Sequence, residues 1–225
     1  VEIHREIGYD DKIGKEIIMK ERIWNFWADK YDKLWVQKYS LKPTRDYVLK
    51  AISDMNIDKN IRVLDLGCGS GQLIHEMSHM FNNLNITGID FSEKMIEMSQ
   101  ARNQMAQHIK LNADELYKIN DKYDLIICTH SLPYYKEPEK VLMELSKLLN
   151  DDGNLLIGFA SGNNFYDKLI LSFVKLTTGP ANYPSDEGFR KIISSFFKVE
   201  SLGIIKEKIY MPRIAVYKLK KAVIC

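Results

Sequence analysis

The chain predicts an α/β fold: a doubly wound, mostly parallel sheet ending in a C-terminal antiparallel strand pair, with an N-terminal helical lobe. Three observations carry that prediction. From Ile61 onward, short β-branched or aliphatic runs alternate with longer stretches of helical spacing, as strands joined by crossover helices do. The first of these runs leads straight into alternate glycines, Gly67, Gly69 and Gly71. The last two β-patterned runs are joined by a link too short for a parallel crossover, so they form an antiparallel pair.

Residues 1–60 are aromatic-rich and helical in pattern and read as an added lobe; residues 61–225 read as the core of what is overall one domain. Strand one is Ile61 to Leu66, and the helix after it carries Leu73, Met77 and Met80 on one face. Strand two, Asn85 to Ile89, ends at Asp90, where Ser92 offers an N-cap to a helix bearing Met95, Ile96 and Ser99. Strand three is short, Ile109 to Leu111. Strand four, Tyr123 to Cys128, is nearly continuously apolar, as a strand covered on both faces should be. After Pro138 a helix places Val141, Leu142, Leu145, Leu148 and Leu149 at helical spacing, and Asp152-Gly153 turns the chain into strand five, Leu155 to Ala160. An insert at about 161–184, with an apolar helix from Phe165 to Leu176, should lie over the sheet's carboxyl edge. One more helix, Asp186 to Phe196, precedes the terminal pair, Val199 to Ile205 and Ile209 to Leu219.

Composition narrows the function classes. With 225 residues, 45% of them hydrophobic, the chain can bury one sizeable core. The net charge is only +2, and the basic residues from Lys198 to Lys221 are scattered along strands, so no nucleic-acid partner is expected. Cys68, Cys128 and Cys225 are too few and too far apart for a disulfide framework or thiolate metal cluster, which fits a reducing, cytoplasmic setting. The opening Val1 to Arg5 is charged, and no apolar run approaches the roughly 20 residues that span a bilayer. No signal peptide or membrane helix is expected, and no metal site is predicted. The oligomeric state is open between monomer and homodimer.

The stretch Val63-Leu64-Asp65-Leu66-Gly67-Cys68-Gly69-Ser70-Gly71 is the most informative. A strand running through alternate glycines into a helix lets a bulky ligand touch bare backbone. A dinucleotide fingerprint has the spacing G-x-G-x-x-G; here Gln72 stands where the third glycine would be. Asp90 places a carboxylate at the end of strand two, where it can accept hydrogen bonds from both hydroxyls of a ribose.

These motifs resemble those of the class I S-adenosylmethionine-dependent methyltransferases, whose fold is Rossmann-like and whose first motif is an acidic strand followed by G-x-G-x-G. The resemblance runs from about Trp24 to Leu219, with the motifs in the family's order. It implies S-adenosylmethionine as cofactor, S-adenosylhomocysteine as product and a small-molecule acceptor, the alternatives being a protein or RNA acceptor or a non-catalytic S-adenosylmethionine-binding module. It implies that backbone at Gly67, Cys68 and Gly69 lies against the cofactor, that Asp65 is the motif's supporting acid, and that Phe91 and Met95 pack beside the adenine. Leu111-Asn112-Ala113-Asp114-Glu115-Leu116 resembles the adenine-recognition turn; Asn112 stands at the family's usual Asp position, Asp114 is the nearest carboxylate, and either can supply the acceptor oxygen.

Trp24-Asn25-Phe26-Trp27-Ala28-Asp29-Lys30-Tyr31-Asp32 resembles the W-x-x-x-A-x-x-Y-D opening of the branch related to quinone-biosynthesis methyltransferases, in which the residue matching Tyr31 closes over the cofactor. Strand four runs into Thr129-His130-Ser131-Leu132-Pro133-Tyr134-Tyr135 at the carboxyl edge, where open α/β sheets bind ligands. Thr129 is expected against the cofactor. The histidine that many relatives carry further along this loop is missing, so the candidate bases are His130, Tyr134 and Tyr135, if the acceptor needs one. Otherwise His130 only hydrogen-bonds within its loop. Ser131 to Tyr134 differs from the S/N/D-P-P-Y element of amino methyltransferases, with Leu132 in place of its second residue. Trp24, Trp27, Tyr134, Tyr135, Phe165 and Tyr183 come from three segments that can converge on one acceptor pocket.

Overall fold

The computed structural model describes residues 21–28, 32, 36–55, 57, 59–208 and 211–222. Residues 21–28 are helical (α1). A π-helical turn at Gln37–Leu41 runs directly into α2, Lys42–Ser53, whose second residue is Pro43, a position where the missing amide costs nothing. Then follow β1 (Ile61–Leu66), α3 (Gln72–Met80), β2 (Leu84–Asp90), α4 (Glu93–Arg102), β3 (Gln107–Lys110), β4 (Tyr123–Thr129), α5 (Pro138–Leu148) and β5 (Leu149–Ala160). The insert helix α6 is Phe165–Thr178, α7 is Asp186–Ile193, and the final strands are β6 (Phe197–Ile205) and β7 (Ile214–Lys221).

One seven-stranded sheet results, in the order β3-β2-β1-β4-β5-β7-β6. The first five strands pair in parallel, while β7 inserts antiparallel between β5 and β6. The order reverses between β1 and β4, the switch point at which the chain after one strand leaves toward one edge and after the other toward the opposite edge.

Several boundaries differ from the sequence reading. β3 starts two residues early, because its register is set by pairing Gln107 to Lys110 with Thr87 to Asp90. β5 starts at Leu149: Tyr123 pairs with Leu149 but Leu125 with Asn154, so residues 150–153 bulge out of the ladder instead of forming a separate turn. β7 starts at Ile214; Ile209 lies outside the described residues, and Pro212 has no amide to give a ladder.

The core lies on both faces of the sheet. Leu64, Leu66 and Ile126 pack with Leu142 and Leu145 of α5 and with Phe189 of α7; Val63, Leu125 and Ile127 pack on the other face with Leu73, Ile74 and Met77 of α3. Val48, Leu49 and Ile52 of α2 join that second cluster. Part of the segment read as an added lobe therefore serves as a sheet-covering helix. No helix among the described residues is long and apolar enough to cross a membrane.

Candidate active site

β1 delivers the chain into the glycine loop beside Ile89, whose carbonyl accepts from the amides of Gly67 (2.7 Å) and Cys68 (3.0 Å). Gly67 has φ +77°, and a Cβ there would lie 2.6 Å from Cβ of Ser131. Only glycine fits that backbone and that approach. Gly71, at φ +75°, leads into α3, and a Cβ on it would strike Oγ of Ser99 on α4 at 2.2 Å. The Cys68 side chain turns inward over Gly88, leaving Gly67 and Gly69 as the loop's cleft-lining residues.

Asp90 ends β2 at the cleft. Its Oδ2 accepts from the Gly69 amide at 3.0 Å and its Oδ1 from the Ser92 amide at 2.9 Å. Burial raises its pKa to about 6, against the pull of the Ser92, Gly69 and Phe91 amides. Asp65 lies buried beneath and does not line the cleft; burial, with the nearby Asp90 charge, raises it to about 7. Ser92 caps α4 by accepting from the Met95 amide, and Met95 and Phe91 line the same wall.

Past β3 the chain forms a turn of 3₁₀ helix, Ala113–Lys118. Asn112 caps it: its Oδ1 accepts from the Asp114 amide at 3.2 Å. Asp114 lines the cleft with its Oδ1 buried and unpartnered among the described residues. A buried oxygen in that state wants a donor.

The loop after β4 supplies Thr129, His130, Ser131, Tyr134 and Tyr135 to the opposite wall. Ser131 donates to the Leu66 carbonyl at 3.1 Å and accepts from the Tyr135 hydroxyl at 2.9 Å, tying this loop to the end of β1. Burial holds the Tyr135 phenol well above its ordinary range. Trp24 of α1 meets Tyr134 edge to face at 5.4 Å, and Pro180 completes the rim.

A family model described as a methyltransferase domain matches residues 57–179, more than half of the chain. The chain belongs to the methyltransferase-domain family. The malonyl-[acyl-carrier protein] O-methyltransferase of Bacillus anthracis is 31% identical over 167 residues, 72% of this chain and 58% of that protein. The same-named protein of Bacillus cereus is 31% identical over 116 residues, 51% of this chain and 42% of its own. The ubiquinone biosynthesis O-methyltransferase of Pelagibacter ubique is 29% identical over 154 residues, 64% of this chain and 63% of its own. The chain thus spans less than two thirds of the length of these curated relatives. Among solved structures, magnesium protoporphyrin IX methyltransferase from Synechocystis PCC 6803 with bound S-adenosylhomocysteine superposes with a TM-score of 0.71 at 21% identity, covering 90% of this chain and 99% of that one. The S-adenosylmethionine-dependent methyltransferase of Clostridium acetobutylicum gives 0.66 at 17%, covering 88% and 98%. The fold is the methyltransferase fold.

Within this methyltransferase fold, Trp24, Gly67, Gly69, Asp90, Phe91, Met95, Asn112, Ala113, Asp114, Thr129, His130, Tyr134 and Tyr135 line one cleft at the switch point. Other residues named from the sequence stand elsewhere. Trp27 packs edge to face on Phe26 at 5.4 Å, and Phe165 is 83% exposed on α6, outside the cleft lining. Tyr183 is not among the residues that line the cleft; its hydroxyl lies 3.4 Å from that of Tyr134. Tyr31 lies outside the described residues. Among the described residues no group of His, Cys, Asp or Glu could hold a metal ion.

Contacts that sequence reasoning missed join segments far apart in the chain. Arg102 of α4 donates through Nη1 to the Ser70 carbonyl at 2.8 Å and through Nη2 to Asp32, and Ser70 Oγ donates to Asp32 at 2.7 Å. Ser92 donates to Asn25 at 2.6 Å, and Lys110 pairs with Glu21 at 2.9 Å. The segment from α1 to Asp32 is thereby fastened to the cleft's glycine loop and its β2 side. No spacing rule signals pairs of this kind.

Proposed function

We propose that this chain binds S-adenosylmethionine in the cleft and transfers its methyl group to an oxygen of a small, largely apolar acceptor. The carboxylates of Asp90 and Asp114 lining one cleft with the bare glycine loop carry the reading. Asp114 offers an adenine amine a carboxylate acceptor, and Asn112, whose oxygen already accepts from the Asp114 amide, lines the cleft beside it. Two amides hold the Asp90 carboxylate, leaving further lone pairs for ribose hydroxyls. Gly67 and Gly69 leave backbone bare for the ligand's remaining length.

Bound there, S-adenosylmethionine supplies an electrophilic methyl carried on a sulfonium. The chain's part is alignment, since holding acceptor and methyl in line provides much of the rate without a covalent enzyme nucleophile. Trp24, Tyr134, Tyr135 and Pro180 form an aromatic and apolar wall with few polar tips, the usual make-up of a small-molecule site. The names of the Bacillus and Pelagibacter relatives, all O-methyltransferases, support oxygen as the atom methylated.

The test is to incubate the protein with methyl-labelled S-adenosylmethionine and a metabolite extract and to look by mass spectrometry for products that gain the label. In parallel, Asp90→Ala should weaken S-adenosylhomocysteine binding by about 2 kcal/mol, with Asp114→Ala costing somewhat less, both read by calorimetry. Unaltered affinity in Asp90→Ala removes the ribose assignment, and absence of any labelled product removes the transferase reading.

A further inference from the structure

His130 is the one non-glycine residue among those described with left-handed backbone, at φ +60°. Such a backbone costs of order 1 kcal/mol or more and persists only where its surroundings impose it. Two contacts impose it here. The His130 amide donates to the Gly158 carbonyl at 2.6 Å, and the ring Nε2 lies 2.8 Å from Oγ1 of Thr44, a fully buried residue of α2.

The Thr44 hydroxyl decides which ring nitrogen carries the proton. Its Oγ1 lies 2.8 Å from the Ser40 carbonyl oxygen. A carbonyl has no proton, so two oxygens this close require the hydroxyl hydrogen between them. Thr44 is then spent as a donor and can only accept from His130. Nε2 must carry the hydrogen, and in a neutral imidazole Nδ1 is left with a bare lone pair. The cleft lining includes His130 and not Thr44, so this pair joins the site to the α2 layer. Burial and the positive charge of Arg45, the residue after Thr44, lower the ring's pKa to about 4 and keep it neutral near pH 7. Arg45 is itself fixed by Glu76, at 3.0 and 3.1 Å from its Nε, and by Gln37.

We propose that Thr44 is a positioning residue that locks His130 in the Nε2–H tautomer, so that bare Nδ1 takes the proton of a hydroxyl acceptor. The inference rests on the methyl-transfer reading above. As the O–C bond forms, the S–C bond of the sulfonium breaks with its electron pair staying on sulfur, and the O–H proton passes to Nδ1. An oxygen acquiring a methyl becomes a far stronger acid than an imidazolium, so a weakly basic ring suffices. The positive charge lost from sulfur appears on His130, and the proton then leaves to solvent.

The tautomer can be read directly. In protein labelled with ¹⁵N histidine at pH 7, two-bond ¹⁵N–¹H correlations, assigned to His130 by their loss in His130→Gln, should show a protonated Nε2 and a bare Nδ1, with or without S-adenosylhomocysteine. Thr44→Ser should keep that pattern. Thr44→Val, of the same shape but unable to accept, should mix the two tautomers while circular dichroism stays native. Label transfer from methyl-labelled S-adenosylmethionine into a metabolite extract should fall at least about tenfold in Thr44→Val and recover in Thr44→Ser. A wild-type Nδ1–H tautomer, or one unmoved in Thr44→Val, overturns the lock. A mixed tautomer with undiminished label transfer overturns the proton-acceptor role. The resonance measurement needs no acceptor, so its failure is distinct from failure of the transferase reading.

Discussion

Gly67 shows how much a single residue can decide. Its φ of +77° and the 2.6 Å approach to Ser131 are separate obstacles to any side chain. Gly67→Ala should therefore lose about 2 to 3 kcal/mol of stability in urea denaturation, and adding Ser131→Gly should restore the steric part and leave the backbone part. Full additivity of the two substitutions would show that they do not meet. Asp65 carries the opposite kind of constraint, electrostatic rather than steric. Its folded pKa, about 7, lies above the ordinary 3.8, so the native chain holds a proton that the unfolded chain has released between those values. Stability then falls as pH rises through that window. Asp65→Asn should flatten the fall between about pH 4 and 7 in denaturant titrations; an unchanged slope would show that Asp65 is not its source.

At the scale of elements, the question is what α1 does over the cleft. Among the described residues its links to the rest include Trp24 on Tyr134, Asn25 on Ser92, Glu21 on Lys110 and, beyond its end, Asp32 on Ser70 and Arg102. The two ion pairs are part exposed, and such pairs are worth under about 1 kcal/mol apiece. A two-turn helix outside the hydrogen-bond ladder of the sheet opens locally before the sheet does. Amides in residues 21–28 should exchange slowly with S-adenosylhomocysteine bound and faster without it, and Arg102→Met should speed exchange in both states. Equal protection in all four conditions would make α1 fixed scaffold. α2 has the larger apolar contact, with Val48, Leu49 and Ile52 buried in the cluster on the sheet.

For the whole molecule, the switch point between β1 and β4 gathers the glycine loop, Asp90, Asp114 and the β4 loop into one cleft. The chemistry proposed there uses side chains and backbone alone. Turnover should accordingly be unchanged by EDTA; loss on chelation with recovery on adding Mg²⁺ would point to a metal-dependent route. S-adenosylhomocysteine at a hundred times its dissociation constant should stabilise the fold by about 2.7 kcal/mol in a denaturant or thermal titration, since it binds only the assembled cleft.

The succession of strands and helices, the glycine loop and the acid at the end of β2 were legible in the sequence because each is local. A period of two or near four reports which face of an element is buried, and alternate glycines report a backbone that a ligand approaches. Such patterns say nothing about which distant element covers that face. Tertiary structure alone placed β7 between β5 and β6, turned α2 into a layer of the core, and separated Asp114 from Asn112 by the hydrogen bond that one has made and the other lacks. It likewise brought Thr44 to His130 across 86 positions, where one hydroxyl proton, already given to Ser40, sets the state of the ring. Hydrogen bonds depend on ångström distances and on the proton count of both partners, and neither is written in residue order.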